Sequence, residues 1–285
     1  MKKLVVANQK GGVAKTTTAV NLAAFLGRLG EKVLLIDMDP QANATSGIGL
    51  EKNKVDRSIY DVLVGNESLE SVICDTPTEG VRAAPANLAL VGAEIELVNS
   101  NRREFRLADS LNKNDSIYRY DFVIIDTPPS LGLMTINAFT AAESVLIPMQ
   151  CEYYALEGLA QLYKTIQLVR QKSNPSLKIE GLVFSMVDLR ANLTMQVMDE
   201  VKKILKDKVY ETVIPRNVRL AEAPSFGKPI STYDRHSKGA EAYERLAKEF
   251  LARNEPSSKD PLSPPRERVE GEGQDAVVVG NESHV

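Results

Sequence analysis

Apolar residues along this chain fall into short continuous runs, separated by stretches in which apolar residues recur every three or four positions. A short continuous run is typical of a strand buried on both faces of a sheet, and the recurrent spacing is typical of a helix with one buried face. The predicted strands are residues 4–8, 33–36, 88–91, 122–125, 144–148, 179–186 and 209–213. The predicted helices are residues 16–29, 103–111, 156–172 and 239–252, with one more around Val197, Met198, Val201, Ile204 and Leu205.

The alternation of strands and helices predicts an α/β fold, a mostly parallel twisted sheet with helices on both faces. In such sheets ligands bind beyond the carboxyl ends of the strands. A glycine-rich turn follows Asn8, Asp37 and Asp39 follow the next strand, and Asp126 ends a later one. We therefore expect these groups to meet at one edge of the sheet, although Asp37 has the alternative reading of a helix N-cap or a solvated turn residue.

The turn between the first strand and the first helix has the composition of a phosphate-binding loop. Gly11 and Gly12 let the backbone curl around phosphates without Cβ clashes, and backbone N–H groups with a helix N-terminus attract the anion. Lys15 is placed to reach the β- and γ-phosphates, Thr16 to bind Mg²⁺ and Thr17 to contact the α-phosphate. The sequence therefore predicts an ATP and Mg²⁺ site of the P-loop NTPase kind. The full loop reads Lys10-Gly11-Gly12-Val13-Ala14-Lys15-Thr16-Thr17.

This loop departs from the usual Gly-x-x-x-x-Gly-Lys-[Ser/Thr] pattern. Gln9 and Ala14 stand at the two glycine positions, and Lys10 is an additional lysine. In these features the chain resembles the deviant P-loop (ParA/MinD) ATPases, and above all the ParA/Soj-type chromosome- and plasmid-partitioning ATPases. The resemblance runs from about residue 3 to residue 252. The blocks that carry it are residues 7–12, 37–41, 126–130, 155–158, 214–224 and 237–243.

The resemblance implies a catalytic role for Lys10 beside Lys15. In the family this extra lysine reaches across an ATP-bound sandwich homodimer to the phosphates of the partner's nucleotide, much as an arginine finger does. The alternative is a solvated loop lysine. Ala14 occupies a position where the family usually has glycine. If that position requires a positive φ, alanine costs about 1 kcal/mol or more, and at a helical position it costs almost nothing.

The remaining site residues also take their roles from the resemblance. Asp39 is expected to orient the attacking water, and Asp126 matches the Walker B aspartate that holds the Mg²⁺ shell through water. Pro215 and Asn217 match the adenine-side loop of the family, and Met186 is a weaker candidate beside it. These last three residues are equally compatible with plain loop and core positions.

The resemblance further implies that the ATP-bound dimer binds double-stranded DNA of the nucleoid without sequence preference. Arg190 and Arg219 fall at the family's DNA-contacting positions. Lys202, Lys203 and Lys206 are either additions to that surface or an ordinary solvated helix face. Hydrolysis is expected to be slow, to be stimulated by a ParB-type centromere-binding protein and to release the DNA.

Composition predicts a domain boundary and a cellular location. Apolar residues make up 43% and charged residues 26% of the chain, as in soluble globular proteins. No run approaches the roughly 20 apolar residues of a spanning helix, and Cys74 and Cys151 form no Cys-x-x-Cys motif, so we expect a cytoplasmic protein that binds no membrane. The resemblance implies that it associates with the nucleoid. Residues 254–285 hold seven acidic and three basic residues and are rich in Pro, Ser, Gly and Glu. We expect a domain over residues 1–253 and a disordered tail.

Three other functions share this fold. A MinD-type membrane ATPase needs a basic amphipathic helix at its C-terminus, whereas this C-terminus is acidic and rich in proline. An iron–sulfur electron-transfer enzyme needs cysteine ligands, and none lies near Asp126 in the sequence. A nucleotide-gated regulatory or scaffold protein with incidental hydrolysis stays open because of Ala14.

Overall fold

A single sheet of seven strands organises the protein, whose computed structural model describes residues 1–65, 67–152 and 155–254. The strands are β1 (Lys2–Val6), β2 (Val33–Asp37), β3 (Cys74–Asp75), β4 (Val81–Ala84), β5 (Phe122–Asp126), β6 (Ser144–Met149) and β7 (Lys178–Phe184). Their order is β3-β4-β2-β5-β1-β6-β7. Every neighbouring pair is parallel except β3–β4. The predicted α/β fold class is confirmed.

Helices cover both faces of the sheet. They are α1 (Lys15–Arg28), α2 (Asn43–Gly47), α3 (Ile59–Leu63), α4 (Leu69–Val72), α5 (Leu90–Glu96), α6 (Arg106–Asn112), α7 (Leu133–Ala141), α8 (Ala155–Lys172), α9 (Asn192–Leu205), α10 (Val218–Glu222), α11 (Ile230–Tyr233) and α12 (Lys238–Asn254). Short 3₁₀ helices occupy Lys52–Lys54, Arg103–Phe105, Asp115–Arg119, Lys206–Lys208 and Ala223–Phe226. Helices α1, α2 and α10–α12 pack on one face and α3–α9 on the other, because the continuous apolar strands present buried side chains to both sides.

The strand order places the chemistry at one point. Val6, the last residue of β1, is in register with Asp126 at the end of β5, and Asp37 at the end of β2 is in register with the same residue. From β1 the chain continues to β2 on one side of the sheet, and the later strand β6 lies on the other side of β1. The strand order therefore reverses direction beside β1, and sheets of this kind bind ligands at such a reversal. The expected convergence of the three strand ends is confirmed.

Two predicted strands are wrong. Residues 88–91 contain the start of α5, because Leu90, Ala93 and Leu97 are buried at helical spacing while Leu88 is exposed. Residues 209–213 form no strand; the segment makes a single isolated bridge, between Leu182 and Val209. The sequence patterns also missed β3 and β4, which are short and include charged residues, and α7, whose residues are almost all buried.

The C-terminal helix continues through Asn254, and residues 255–285, which include nearly all of the predicted disordered tail, lie outside the described residues. Across the described ranges, no helix combines the length and apolar character that a membrane span requires. Cys74 and Cys151 are both free thiols.

Candidate nucleotide-binding site

The loop between β1 and α1 is held in a left-handed turn. Gly12 has φ 75° and Ala14 has φ 64° and ψ 34°, and α1 begins directly after Ala14. No side chain caps the first turn of α1. The amide groups at the start of this helix are therefore left to a ligand or water, which is the condition for binding an anion there.

Three polar side chains anchor this loop to the neighbouring strands. Asn8 donates a hydrogen bond to the backbone of β6 (2.8 Å), Gln150 donates to the carbonyl of Gly12 (3.0 Å), and Ser185 donates to the carbonyl of Val13 (2.9 Å). Gln150 and Ser185 were missed as site residues. Both directly follow a strand, so the signal that identified Asp37 and Asp126 also applies to them.

Lys15 lies at the centre of the loop and is only 6% exposed. Its Nζ donates to the carbonyl oxygen of Lys10 at 3.0 Å, which holds the ammonium inside the turn. Burial lowers the pKa of Lys15, while the charges of Asp126 and Asp39 act in the opposite direction. The arrangement leaves a buried cation without a directly bonded carboxylate, a state that a polyphosphate would stabilise.

Asp126 is fully buried, and neither of its carboxylate oxygens has a hydrogen bond of regular geometry. Burial, followed by the negative charge of Asp37, raises the pKa of Asp126 well above its usual range, and the nearby Thr16 hydroxyl opposes this. Orphaned buried oxygens beside a hydroxyl are what a hard cation or its bound water would satisfy. Among the described residues no group of three or more His, Cys, Asp or Glu side chains could hold a metal. The orphaned Asp126 carboxylate beside the Thr16 hydroxyl fits Mg²⁺, which characteristically takes one or two protein ligands together with water and phosphate.

Asp37 has a structural role instead. Its carboxylate accepts hydrogen bonds from the Thr45 amide (2.8 Å), the Thr45 hydroxyl (2.8 Å) and the Asp39 amide (3.0 Å). Thr45 lies in the first turn of α2, whose N-cap residue is Ala42, so Asp37 satisfies one amide of that turn from the end of β2 without being the N-cap residue itself. Burial raises the pKa of Asp37 to about 6 despite these hydrogen bonds.

A cleft of about 680 Å³ joins the loop to the segment that precedes α10. A volume of this size is typical of small-molecule sites. Asp39, Met186, Pro215 and Asn217 line it. Also on its walls are the loop residues Gly12, Ala14, Lys15, Thr16 and Thr17.

Two of these wall residues have defined local partners. Asn217 accepts a hydrogen bond from the Leu220 amide and caps α10, and one Asp39 oxygen accepts from the Gln41 amide. The structure thus brings five residues of the phosphate loop into one cleft with Pro215 and Asn217, while Gly11, Val13 and Asp126 are not on its walls. The roles of all these residues stay predictions.

Lys10 lies outside that set. Its Nζ forms an ion pair with Glu152, and both side chains are substantially exposed. An exposed pair of this kind is weak. The side chain of Lys10 is therefore available to another acceptor, and its role across a dimer stays a prediction.

Both candidate DNA-binding arginines are exposed and locally paired. Arg190 donates two hydrogen bonds to Asp188, whose pKa this contact lowers to about 2. Arg219 pairs with Glu222 and Asp234. The two arginines lie on segments that meet, since the Val187 amide, three residues before Arg190, donates to the backbone of the Pro215 loop. Their contact with DNA stays a prediction.

Comparison with known proteins agrees with this geometry. A family model described as an AAA domain matches residues 1–179. The chain is 56% identical over 251 residues to the sporulation initiation inhibitor protein Soj of Bacillus subtilis, covering 88% of this chain and 98% of that one. It is 51% identical over 266 residues to the chromosome partitioning protein ParA of Myxococcus xanthus, covering 93% and 91%.

A solved structure shows the same fold. It is the Mycobacterium smegmatis cobyrinic acid a,c-diamide synthase with a bound ATP analog and magnesium, which is 38% identical with a TM-score of 0.76 and covers 88% of this chain and 94% of its own. Its name denotes another reaction, but its identity to this chain is lower than that of the partitioning proteins. The resemblance seen in the motifs thus extends along nearly the whole described chain, and the chain belongs to the ParA/Soj family of chromosome-partitioning ATPases.

Proposed function

We propose that this protein is an ATP-dependent DNA-segregation ATPase, in which ATP binding closes a homodimer that holds nonspecific double-stranded DNA. Hydrolysis, stimulated by a ParB-type partner, then releases the DNA. The observation that carries the proposal is the buried Lys15 ammonium on the wall of the cleft, together with the fully buried Asp126 carboxylate, which acts on it electrostatically and whose oxygens are orphaned. A magnesium-bound triphosphate supplies the partner that each of them lacks.

The residues of the cleft divide the work of binding. The amide groups at the start of α1 and the Lys15 ammonium bind the phosphates, and Pro215 and Asn217 border the base. Thr16 and, through water, Asp126 would hold Mg²⁺, which neutralises phosphate charge when it is bound. The relative whose structure contains an ATP analog with magnesium supports this assignment.

The hydrolytic step needs a water molecule in line with the γ-phosphate. Asp39 lines the cleft, and only one of its carboxylate oxygens is engaged by the Gln41 amide. The second oxygen can therefore accept a hydrogen bond from the attacking water and orient it. As the water oxygen bonds to the γ-phosphorus, the bond between the γ-phosphorus and the β–γ bridging oxygen breaks and ADP leaves.

Lys10 links nucleotide to dimer. A ligand shifts an equilibrium only through its different affinity for the two states. Lys10 would supply such a difference if it left Glu152 and bound the γ-phosphate of the ATP held by a second copy of the chain, because this lysine–phosphate contact exists only in the dimer. A Lys10→Ala variant should bind ATP but fail to dimerise in sedimentation with ATP, whereas Glu157→Ala on α8 should behave as the parent does. Normal dimerisation of the Lys10 variant would remove the basis of this step.

The proposed DNA contact is tested by retention on a nonspecific duplex with ATP, with ADP and without nucleotide, at two salt concentrations. We expect retention with ATP only, weakened by salt because binding releases counterions from the duplex. Binding that ignores the nucleotide would contradict the model.

Ala14 favours one alternative, a nucleotide-gated scaffold with incidental hydrolysis, because its positive φ strains the loop. Turnover measured with and without DNA and the partner protein separates the two. Turnover that neither component raises would favour the scaffold.

A further inference from the structure

The end of α12 is fixed beside a turn rich in lysine. The Arg253 guanidinium donates to the carbonyl oxygens of Asp207 (3.1 Å) and Val209 (2.8 Å) and stacks over the Tyr210 ring at 4.0 Å. Asn254 follows directly and donates to Glu180 at 2.8 Å. These contacts determine where residues 255–285 leave the domain, next to the 3₁₀ helix that follows α9.

Four lysines lie in the last turn of α9 and in the 3₁₀ helix that Arg253 contacts. They form what we name the lysine face: Lys202, Lys203, Lys206 and Lys208. All four are exposed. In the described ranges the ion-paired lysines are elsewhere, at Lys2, Lys10, Lys54 and Lys248. Asp207 within the turn, and Asp199 and Glu200 one helical turn earlier, only partly offset the positive charge.

The chain beyond the exit carries the opposite charge. Residues 255–285 contain seven acidic and three basic residues. The basic residues all precede Val269. From Val269 onward there are four acids and no Lys or Arg: Glu270, Glu272, Asp275 and Glu282.

The intervening residues can span the distance. The segment between the exit and Val269, residues 255–268, contains fourteen residues, four of them proline. A random-coil chain of fourteen residues has a root-mean-square reach of roughly 20 Å, and proline extends such a chain further. The fourteen residues of α9 extend about 20 Å, and the lysine face occupies only the end nearest the exit. Covalent attachment holds the acidic segment near this face at an effective concentration on the order of millimolar.

We propose that the acidic segment, residues 269–285, docks on the lysine face of its own chain and competes with DNA for it. The docking stands on charge and position alone. Its effect on DNA rests on the proposed function and on the assignment of Lys202, Lys203 and Lys206 as additions to the DNA-binding surface. Its affinity is set by several weak surface ion pairs, so it exchanges readily and weakens with salt.

Carbodiimide cross-linking of the full chain, mapped by mass spectrometry, tests the docking without DNA. We expect bonds between the acids after Val269 and the lysine face. Lys164 and Lys172 on α8 serve as exposed control lysines, and bonds spread equally over them would overturn the proposal. Mixing ¹⁵N-labelled and unlabelled chains identifies the docked copy, and cross-links that join the two labels would overturn docking within one chain.

A DNA-binding cycle tests the competition. Changing the four acids to Glu270→Gln, Glu272→Gln, Asp275→Asn and Glu282→Gln should tighten binding to a nonspecific duplex roughly five-fold near 10 mM salt, and by less near 150 mM, where the Debye length falls to about 8 Å. In a Lys202→Gln, Lys203→Gln, Lys206→Gln, Lys208→Gln background the gain should vanish. An equal gain in that background would refute the competition. If no form binds DNA, the proposed function fails, while the cross-links still decide the docking.

Discussion

Ala14→Gly isolates the strain in the phosphate loop. Ala14 has φ 64° and ψ 34°, a left-handed conformation that costs an L-residue about 1–2 kcal/mol and costs glycine nothing. Glycine also raises the entropy of the unfolded chain, which offsets about 0.4–1 kcal/mol of that gain. The free energy of unfolding should therefore rise by about 0.5–1 kcal/mol, equivalent to an increase in Tm of about 1–4 °C.

The measurement is reversible urea unfolding followed by circular dichroism, with the slope unchanged. Ala19→Gly is the matched control, because Ala19 is a buried residue in the interior of α1, where glycine costs about 0.5–1 kcal/mol from backbone entropy alone. The two substitutions should thus have opposite signs. If Ala14→Gly destabilised the protein as Ala19→Gly does, the phosphate loop would not be strained at Ala14. The strain at Ala14 would then no longer favour the scaffold alternative.

Two further predictions concern buried groups. Asp126→Asn should raise the free energy of unfolding of the ligand-free protein at pH 8, by removing an unpaired buried charge, and should abolish stabilisation by Mg²⁺-ATP in thermal unfolding. The pKa values of Asp126 and Asp37 are raised in the folded state, so as the pH falls the folded parent protein binds protons at a higher pH than its unfolded chain does. Proton binding stabilises the folded parent, and the difference in unfolding free energy between variant and parent should therefore shrink toward pH 5. A difference that stays constant with pH would contradict the assignment. Gly27→Ala should destabilise by about 1–3 kcal/mol in urea, since a Cβ there would lie 2.1 Å from the Glu79 carbonyl oxygen, whereas Gly158→Ala on α8 has open space and should be neutral or stabilising.

The fold was largely predictable because its central strands are buried on both faces. Phe122–Asp126 and Val33–Asp37 are apolar runs that end in an aspartate and are buried along their whole length. The edge of the sheet was not predictable. Val81–Ala84 is short and contains Arg82, and its pairing depends on β2, so a local pattern carries little of the information that forms it.

The positions of the candidate site residues were predictable where those residues directly follow a strand or begin a helix. The strand, the glycine turn and the helix place Lys15 and Thr16, and the strand end places Asp126. Sequence order alone did not separate Asp37 from Asp39. Asp37 is distinguished only by the helix that folds back to bring Thr45 to its carboxylate. Gln150 was missed although it directly follows β6. Glu152 was missed because its contact with Lys10 is long-range and depends on the β1–β6 pairing.

The energetics of the proposed switch follow from the exposure of Lys10. Moving a two-state population from 1:99 to 99:1 requires about 5.5 kcal/mol of differential binding. Breaking the exposed pair with Glu152 costs at most about 1 kcal/mol in each copy. A hydrogen bond to a charged group contributes about 1.5–3 kcal/mol, and a symmetric dimer makes each contact twice. The two lysine–phosphate contacts of the dimer therefore contribute about 3–6 kcal/mol. Breaking the two Lys10–Glu152 pairs costs about 2 kcal/mol at most, so the net gain is about 1–4 kcal/mol. Because this falls short of a full switch, burial of the surrounding loops between the two copies must contribute the remainder.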